Sequence, residues 1–138
     1  MTVIVVDASA LAKYILREDN WRSIRSFLEK ETISLDHVVK EVANAIWKKS
    51  AMLKQEPPNI AKMRLQLLRK LVDEDVVKIE DELMYLDKAF EIAIENGLTV
   101  YDALYIAQAI AHHAELLTSD KRQAEVAKKL GVKVHYVP

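Results

Sequence analysis

A three-layer α/β/α sandwich around a mostly parallel sheet of four to five strands is the fold class this 138-residue chain predicts. Three observations point to it. Short β-branched runs alternate with longer stretches of helical apolar spacing, the pattern of an α/β sheet. The runs are nearly continuous apolar rather than alternating, as in strands covered on both faces. The segments between them are long enough for helical crossovers, which keep neighbouring strands parallel. The length suits one compact domain over residues 1–138, burying roughly 70% of its unfolded surface.

The first strand is expected at Val3 to Val6. It ends in Asp7, where a strand interior has no use for a carboxylate, and "ASALAKYIL" then opens an amphipathic helix near Ser9. Further strands are expected near Thr32 to Leu35, Val76 to Ile79, Ala114 to Leu117 and Val132 to Val137. Helices are expected over Ser23 to Lys30, Val38 to Leu53, Ile60 to Leu71, Leu83 to Asn96, Val100 to His112 and Lys121 to Leu130. Leu83, Leu86, Phe90, Ala93 and Ile94 keep the three-and-four spacing of one buried stripe, and Asn96-Gly97 ends that helix with a residue tolerant of positive φ. The segment "QEPPNI" makes a rigid corner between two long helices. The helix from Val100 is apolar on nearly all sides, with Ala103, Ala107 and Ala111 allowing close packing, and reads as buried against the sheet.

Composition narrows the chemistry. No apolar run reaches the ~18 residues of a membrane span, and the N-terminus enters a strand pattern within three residues, so a cytoplasmic protein with no membrane partner is expected. The absence of cysteine excludes disulfides, thiol catalysis and cysteine metal sites, leaving oxygen and imidazole as metal ligands. A net charge of −1, from 20 basic and 21 acidic residues, gives no global attraction to nucleic acid, so such a partner needs a local basic patch or metal ions.

In an open parallel sheet, ligands bind outside the carboxyl ends of the strands, where the strand order reverses. Four acids fall near such exits: Asp7, Glu41, Asp102 and Asp120. Each has a plain structural reading. Asp7 can cap the helix that follows it, "TVYD" fits a capping box with Asp102 at its third helical position, Asp120 and Gln123 fit another, and Glu41 can be a solvated helix position. Together they read differently. Like charges ~4 Å apart repel by ~1 kcal/mol in water and by several times more near a protein surface, so four carboxylates at one sheet edge call for a cation. An all-oxygen set suits Mg²⁺ or Mn²⁺, ions that activate a water and neutralise phosphate charge in phosphodiester hydrolysis.

These stretches resemble the PIN-domain family, close to the VapC-type toxin ribonucleases of toxin–antitoxin pairs. "VVDASALAKYIL" resembles the family's opening strand, with Asp7 the first metal-binding acid and Ser9 its accompanying hydroxyl. "VVKEVANAIWK" resembles the second motif, carrying Glu41 and Asn44, and "LTVYDALYIAQAIAHHAELLTSDKRQAEVAKKLGVKV" resembles the third and fourth, carrying Asp102 and Asp120 with Thr118 or Ser119 beside the latter. The resemblance implies a PIN-like sheet with helices on both faces, Mg²⁺ or Mn²⁺ held by Asp7, Glu41, Asp102 and Asp120 as the catalytic set, and cleavage of RNA. It also implies a homodimer and an inhibiting antitoxin. Ser9, Asn44, Thr118 and Ser119 would then orient the carboxylates or a water, or simply serve as caps and surface groups.

Lys13, Arg17, Lys48 and Lys49 are candidate phosphate contacts, with a solvated face as the plainer reading. His112 and His113 lie about 100° apart on their helix and cannot readily share a metal, and His37 reads as a loop histidine near the Glu41 helix. Trp47, Met52, Leu53, Met63, Leu67 and Leu68 exceed what one small core needs, and suggest either a partner surface or two helices packed together. Two other functions compete: a PIN-like fold that binds RNA or protein without cutting it, and a receiver-type signalling domain. The receiver needs a second acid beside the first, a phosphoacceptor aspartate after the middle strand and a lysine after the last; here the first strand ends in a single acid.

Overall fold

A computed structural model describes residues 2–138. Five parallel strands form one sheet: β1 (Val3–Val6), β2 (Glu31–Leu35), β3 (Lys78–Glu80), β4 (Glu115–Thr118) and β5 (Val134–Tyr136), in the spatial order 3-2-1-4-5. The chain steps outward from β1 to β3, then returns to the other side of β1 for β4 and β5. The reversal between β1 and β4 is the crevice where such sheets bind ligands. Register there is set by Val6 opposite Leu117, with the Asp7 N–H donating to the Leu117 carbonyl at 3.1 Å, so Asp7 emerges beside Thr118.

Seven helices cover the sheet: α1 (Ala8–Leu16), α2 (Trp21–Leu28), α3 (His37–Trp47), α4 (Pro58–Asp73), α5 (Leu86–Asn96), α6 (Val100–His112) and α7 (Lys121–Lys129). Ile4, Val5 and Val6 are fully buried, and α6 is buried continuously from Ala103 to Ala109, which makes it the inner helix its composition predicts. Pro57 is extended and Pro58 occupies the first turn of α4, where a missing N–H costs nothing. Gly97 closes α5 at φ 65°, in the left-handed region.

Three expectations need correction. The helix expected over Val38 to Leu53 breaks at Trp47 into a π-helical turn, Lys48–Met52. The helix expected from Leu83 begins as a 3₁₀ turn, Glu82–Tyr85, capped by Asp81. Of the expected stripe only Ala93 is buried; Leu83, Leu86, Phe90 and Ile94 face solvent, and α5 buries Ala89 and Ile92 beside Ala93. Small residues let α5 lie close to its neighbours, so the larger side chains point outward.

Candidate active site

Asp7, Glu41, Asp102 and Asp120 line one pocket of about 260 Å³ outside the carboxyl ends of β1 and β4. Each arrives from a different element. Asp7 is the residue after β1 and the N-cap of α1; Glu41 sits one turn into α3; Asp102 lies in the first turn of α6; Asp120 is the N-cap of α7. Asp7 and Asp120 both cap, but the box expected between Asp120 and Gln123 is only half formed, because the Gln123 side chain bonds the Asp102 carbonyl and the Asp120 N–H donates to Thr118. Asp7 Oδ1 accepts from the Ala10 N–H at 2.9 Å, and Asp120 Oδ1 from the Gln123 N–H at 3.1 Å. At the start of α6 it is Thr99 that caps, through its hydroxyl, at 3.2 Å from the Asp102 N–H. Capping does not compete with pocket lining here, because a carboxylate has two oxygens and a helix N-terminus takes only one.

Asp7 is 1% exposed. Ser9 donates to its Oδ1 at 2.7 Å and Thr118 donates to its Oδ2. The Thr118 hydroxyl also accepts the Asp120 N–H at 3.0 Å and lies 3.2 Å from Ser9 Oγ, which accepts the Ser119 N–H at 2.9 Å. A continuous hydrogen-bonded unit thus joins the exits of β1 and β4. Of the four supporting residues expected beside the acids, Ser9 and Thr118 reach a carboxylate and Ser119 contributes its backbone. Asn44 does not reach the site: it is exposed on α3, whose pocket-facing line runs through Glu41 and Ala45, four residues apart.

The electrostatics are unbalanced. Burial pushes the Asp7 carboxyl up to about 7, against the pull of hydrogen bonds from Thr118, Ala10 and Ser9, and the charge of Asp102 adds to the rise. Burial raises Asp102 above the usual carboxylate range as well, and the charges of Asp120 and Glu41 push the same way. Among the described residues, the pocket lining includes no basic side chain. The contrast with Glu80, at the exit of β3, is instructive. Burial would raise that carboxyl, yet donors from Gln108 at 2.9 Å, Tyr85 at 2.6 Å and contact with His112 at 2.8 Å hold it below the usual range. Glu80 is compensated by its protein donors, whereas the charges of the four pocket acids meet no basic side chain in the lining, and a hard divalent cation is what this all-oxygen set fits. No three of the four bring oxygens within 4.8 Å of one another, as Asp36, His37 and Glu82 do elsewhere. At that spacing Mg²⁺ or Mn²⁺ would be held by some of the carboxylates directly and by others through water.

Three further residues contribute: Tyr105 has no signal in the local sequence, Gln123 signals only a cap partner there, and His37 stands four residues before Glu41 on the same helix. Tyr105, inside α6, donates to Glu41 Oε1 at 2.7 Å from 64 residues away. Gln123, 1% exposed, lines the pocket and donates to the Asp102 carbonyl at 2.9 Å, pinning α7 to α6. His37 is no loop residue: it is the first residue of α3, 3% exposed, with Nε2 3.1 Å from Glu41 and Nδ1 3.0 Å from Glu82.

Beside the acid pocket, and sharing Ser9, Ala12 and Ala45 with it, lies a second hollow of about 460 Å³ lined by Lys13, Lys48 and Lys49. Arg17, the fourth basic candidate, points elsewhere and stacks on Trp21 at 4.1 Å and Tyr14 at 4.8 Å.

A family model, the PIN domain, matches residues 4–129. The chain belongs to the PIN-domain family. Ribonuclease VapC3 of Pyrobaculum aerophilum is 32% identical over 127 residues, covering 88% of this PIN domain and 92% of that relative. Exonuclease VapC9 of the same organism is 30% identical over 118 residues, covering 85% and 80%. The crystal structure of PAE2754 from Pyrobaculum aerophilum superposes with a TM-score of 0.71 at 28% identity, over 96% of this chain and 83% of that one. The five-stranded parallel sheet is therefore the PIN arrangement, and the receiver-type alternative falls away.

Proposed function

We propose that this PIN domain is a divalent-metal-dependent endoribonuclease, the toxin of a VapBC-type pair. The observation that carries the proposal is the convergence of Asp7, Glu41, Asp102 and Asp120 on one uncompensated pocket at the β1/β4 switch point, beside a lysine-lined hollow. Likeness to relatives named as a ribonuclease and an exonuclease supports it.

Asp7, Glu41, Asp102 and Asp120 would hold Mg²⁺ or Mn²⁺, some of them through water. The ion supplies the means to activate a water and to offset phosphate charge. The rest belongs to the chain. Thr118 and Ser9 fix both oxygens of Asp7, Tyr105 fixes Glu41, and the Asp120 cap fixes α7 against the pocket. Lys13, Lys48 and Lys49 draw the RNA backbone across the adjoining hollow, which offsets the repulsion a polyanion meets at an acidic site.

Two exposed apolar surfaces support the partners. One is a groove of about 820 Å³ between α3 and α4, lined by Ile46, Trp47, Pro57, Pro58, Ala61 and Leu65, suited to an amphipathic antitoxin helix. Of the residues read as excess to the core, Trp47, Met52, Leu53 and Met63 are exposed around this region, whereas Leu68 is fully buried and Leu67 partly so. The other is the outward face of α5, assigned to a second copy of the chain.

The test uses purified full-length protein on end-labelled linear RNAs and their circularised forms, with Mg²⁺, Mn²⁺ or EDTA, beside Asp7→Asn shown to be folded by circular dichroism. Cutting of circular RNA that needs metal and disappears in the variant is expected. Cutting confined to linear RNA would make the enzyme an exonuclease, and equal cutting by both proteins would remove Asp7 from the site.

A further inference from the structure

Asp36, His37 and Glu82 each offer a ligand atom within 4.8 Å of the other two. They come from two elements that the sheet holds together. Asp36 and His37 sit at the exit of β2 and the start of α3, and Glu82 opens the 3₁₀ turn after β3. Backbone contacts already join these exits: the Asp36 N–H donates to the Glu80 carbonyl at 3.0 Å, and Asp36 Oδ1 accepts from the Glu82 N–H at 3.3 Å. Asp36 stands at the N-cap position of α3, but its backbone is helical and its side chain makes no cap bond, so its carboxylate is not committed to the helix.

His37 is the observation that points to a ligand. It is buried, and although carboxylate oxygens lie 3.1 and 3.0 Å from its two ring nitrogens, neither nitrogen has a hydrogen-bond partner at acceptable angles. The two carboxylates compensate the ring electrostatically but leave its nitrogens without a well-aligned hydrogen bond. The spacing has another reading. Two ligands held at about 2.1 Å by one tetrahedral ion sit about 3.4 Å apart. The 3.0 Å between His37 Nδ1 and Glu82 Oε2 lies a few tenths of an ångström inside that spacing, and all three ligand atoms lie within 4.8 Å of one another, so small side-chain shifts bring the trio to it.

We propose that Asp36, His37 and Glu82 form a second cation site, distinct from the four-acid pocket, for an imidazole-accepting divalent ion such as Zn²⁺. Two carboxylates and one neutral imidazole balance the ion's charge, and imidazole selects such ions over Mg²⁺. With Nδ1 on the ion, Nε2 carries the ring proton and faces Glu41, in the carboxylate–histidine–metal arrangement that orients ligands in metal proteins. His37 is thereby a positioning residue: occupancy of this site fixes its tautomer and steadies Glu41 in the neighbouring pocket. The link to Glu41 rests on the nuclease reading; the site itself does not.

The test titrates Zn²⁺ into the full-length protein by calorimetry in a millimolar Mg²⁺ background, for wild type, Glu82→Gln, His37→Gln and Asp102→Asn. A tight zinc site is expected that persists in Asp102→Asn and weakens by about 100-fold or more in Glu82→Gln and His37→Gln. Anomalous diffraction at the zinc edge should place a peak between Nδ1 and Glu82. Glu82 is only partly buried, so Glu82→Gln carries the result where His37→Gln fails to fold. Zinc binding that ignores Glu82→Gln and vanishes in Asp102→Asn would put the ion in the acid pocket and overturn the proposal, as would no zinc binding at all. Neither result depends on RNA cleavage, so this site and the nuclease reading fail separately.

Discussion

Asp7 holds its proton up to about pH 7 in the fold, against 3.8 for an ordinary aspartate, chiefly because it is buried. A carboxyl raised in this way favours the folded state below 3.8, and that contribution is lost as the pH climbs to about 7. At about 1.4 kcal/mol per pH unit, the loss is at most about 4.5 kcal/mol. Metal-free wild type should therefore lose stability between pH 4 and 7, while Asp7→Asn, which keeps an acceptor for the Ala10 N–H, should lose less. At pH 8 the variant's Tm should exceed that of wild type without metal, and Mg²⁺ should close the gap by stabilising wild type alone. Identical pH slopes in thermal scans of the two proteins would show that Asp7 is not the strained group. Tyr105→Phe tests the second carboxylate. Removing the hydroxyl leaves Glu41 without that donor, so metal affinity by calorimetry should fall about 10-fold and stability by about 1 kcal/mol; unchanged affinity would make the contact merely structural.

At the scale of elements, α5 presents Leu86, Phe90 and Ile94 to solvent, with Ile94 69% exposed, and Leu83 of the preceding 3₁₀ turn is exposed as well. Contiguous apolar surface of this kind marks an interaction site. The double variant Phe90→Glu/Ile94→Glu should run as a monomer in light scattering with its Tm within a few degrees of wild type, because neither side chain is in the core. A dimer that survives both charges would place the interface elsewhere. The same helix shows what periodicity can and cannot tell. The spacing of its large apolar residues is legible, as is the Asn96-Gly97 stop, but which face is covered is decided by the small Ala89 and Ala93, which let α5 pack against α6. Local chemistry at helix starts is legible for the same reason: Asp7, Thr99 and Asp120 each accept from the N–H three residues ahead. What joins Asp7 to Thr118, 111 residues apart, or Glu41 to Tyr105, is set by strand order, and no local spacing records it. Asn44, three residues past Glu41, faces solvent rather than the pocket, in keeping with the surface role also open to it.

Across the whole molecule, the strand order 3-2-1-4-5 gathers the site. Asp7 and Asp120 leave the two strands that flank the reversal, α3 brings Glu41 over the crevice from one side, and the buried α6 brings Asp102. Each acid taken alone can be explained as a cap or a solvated position; only the sheet makes them one charged pocket with no protein cation in its lining. The most direct measurement is the single-turnover rate of RNA cleavage by Asp102→Asn and Asp120→Asn against a surface control, Glu74→Gln, at saturating Mg²⁺. A loss of at least about 100-fold in both pocket variants, with the control unchanged, is the result this architecture predicts. Wild-type rates in either pocket variant would contradict it, because the four carboxylates would then not act as one site.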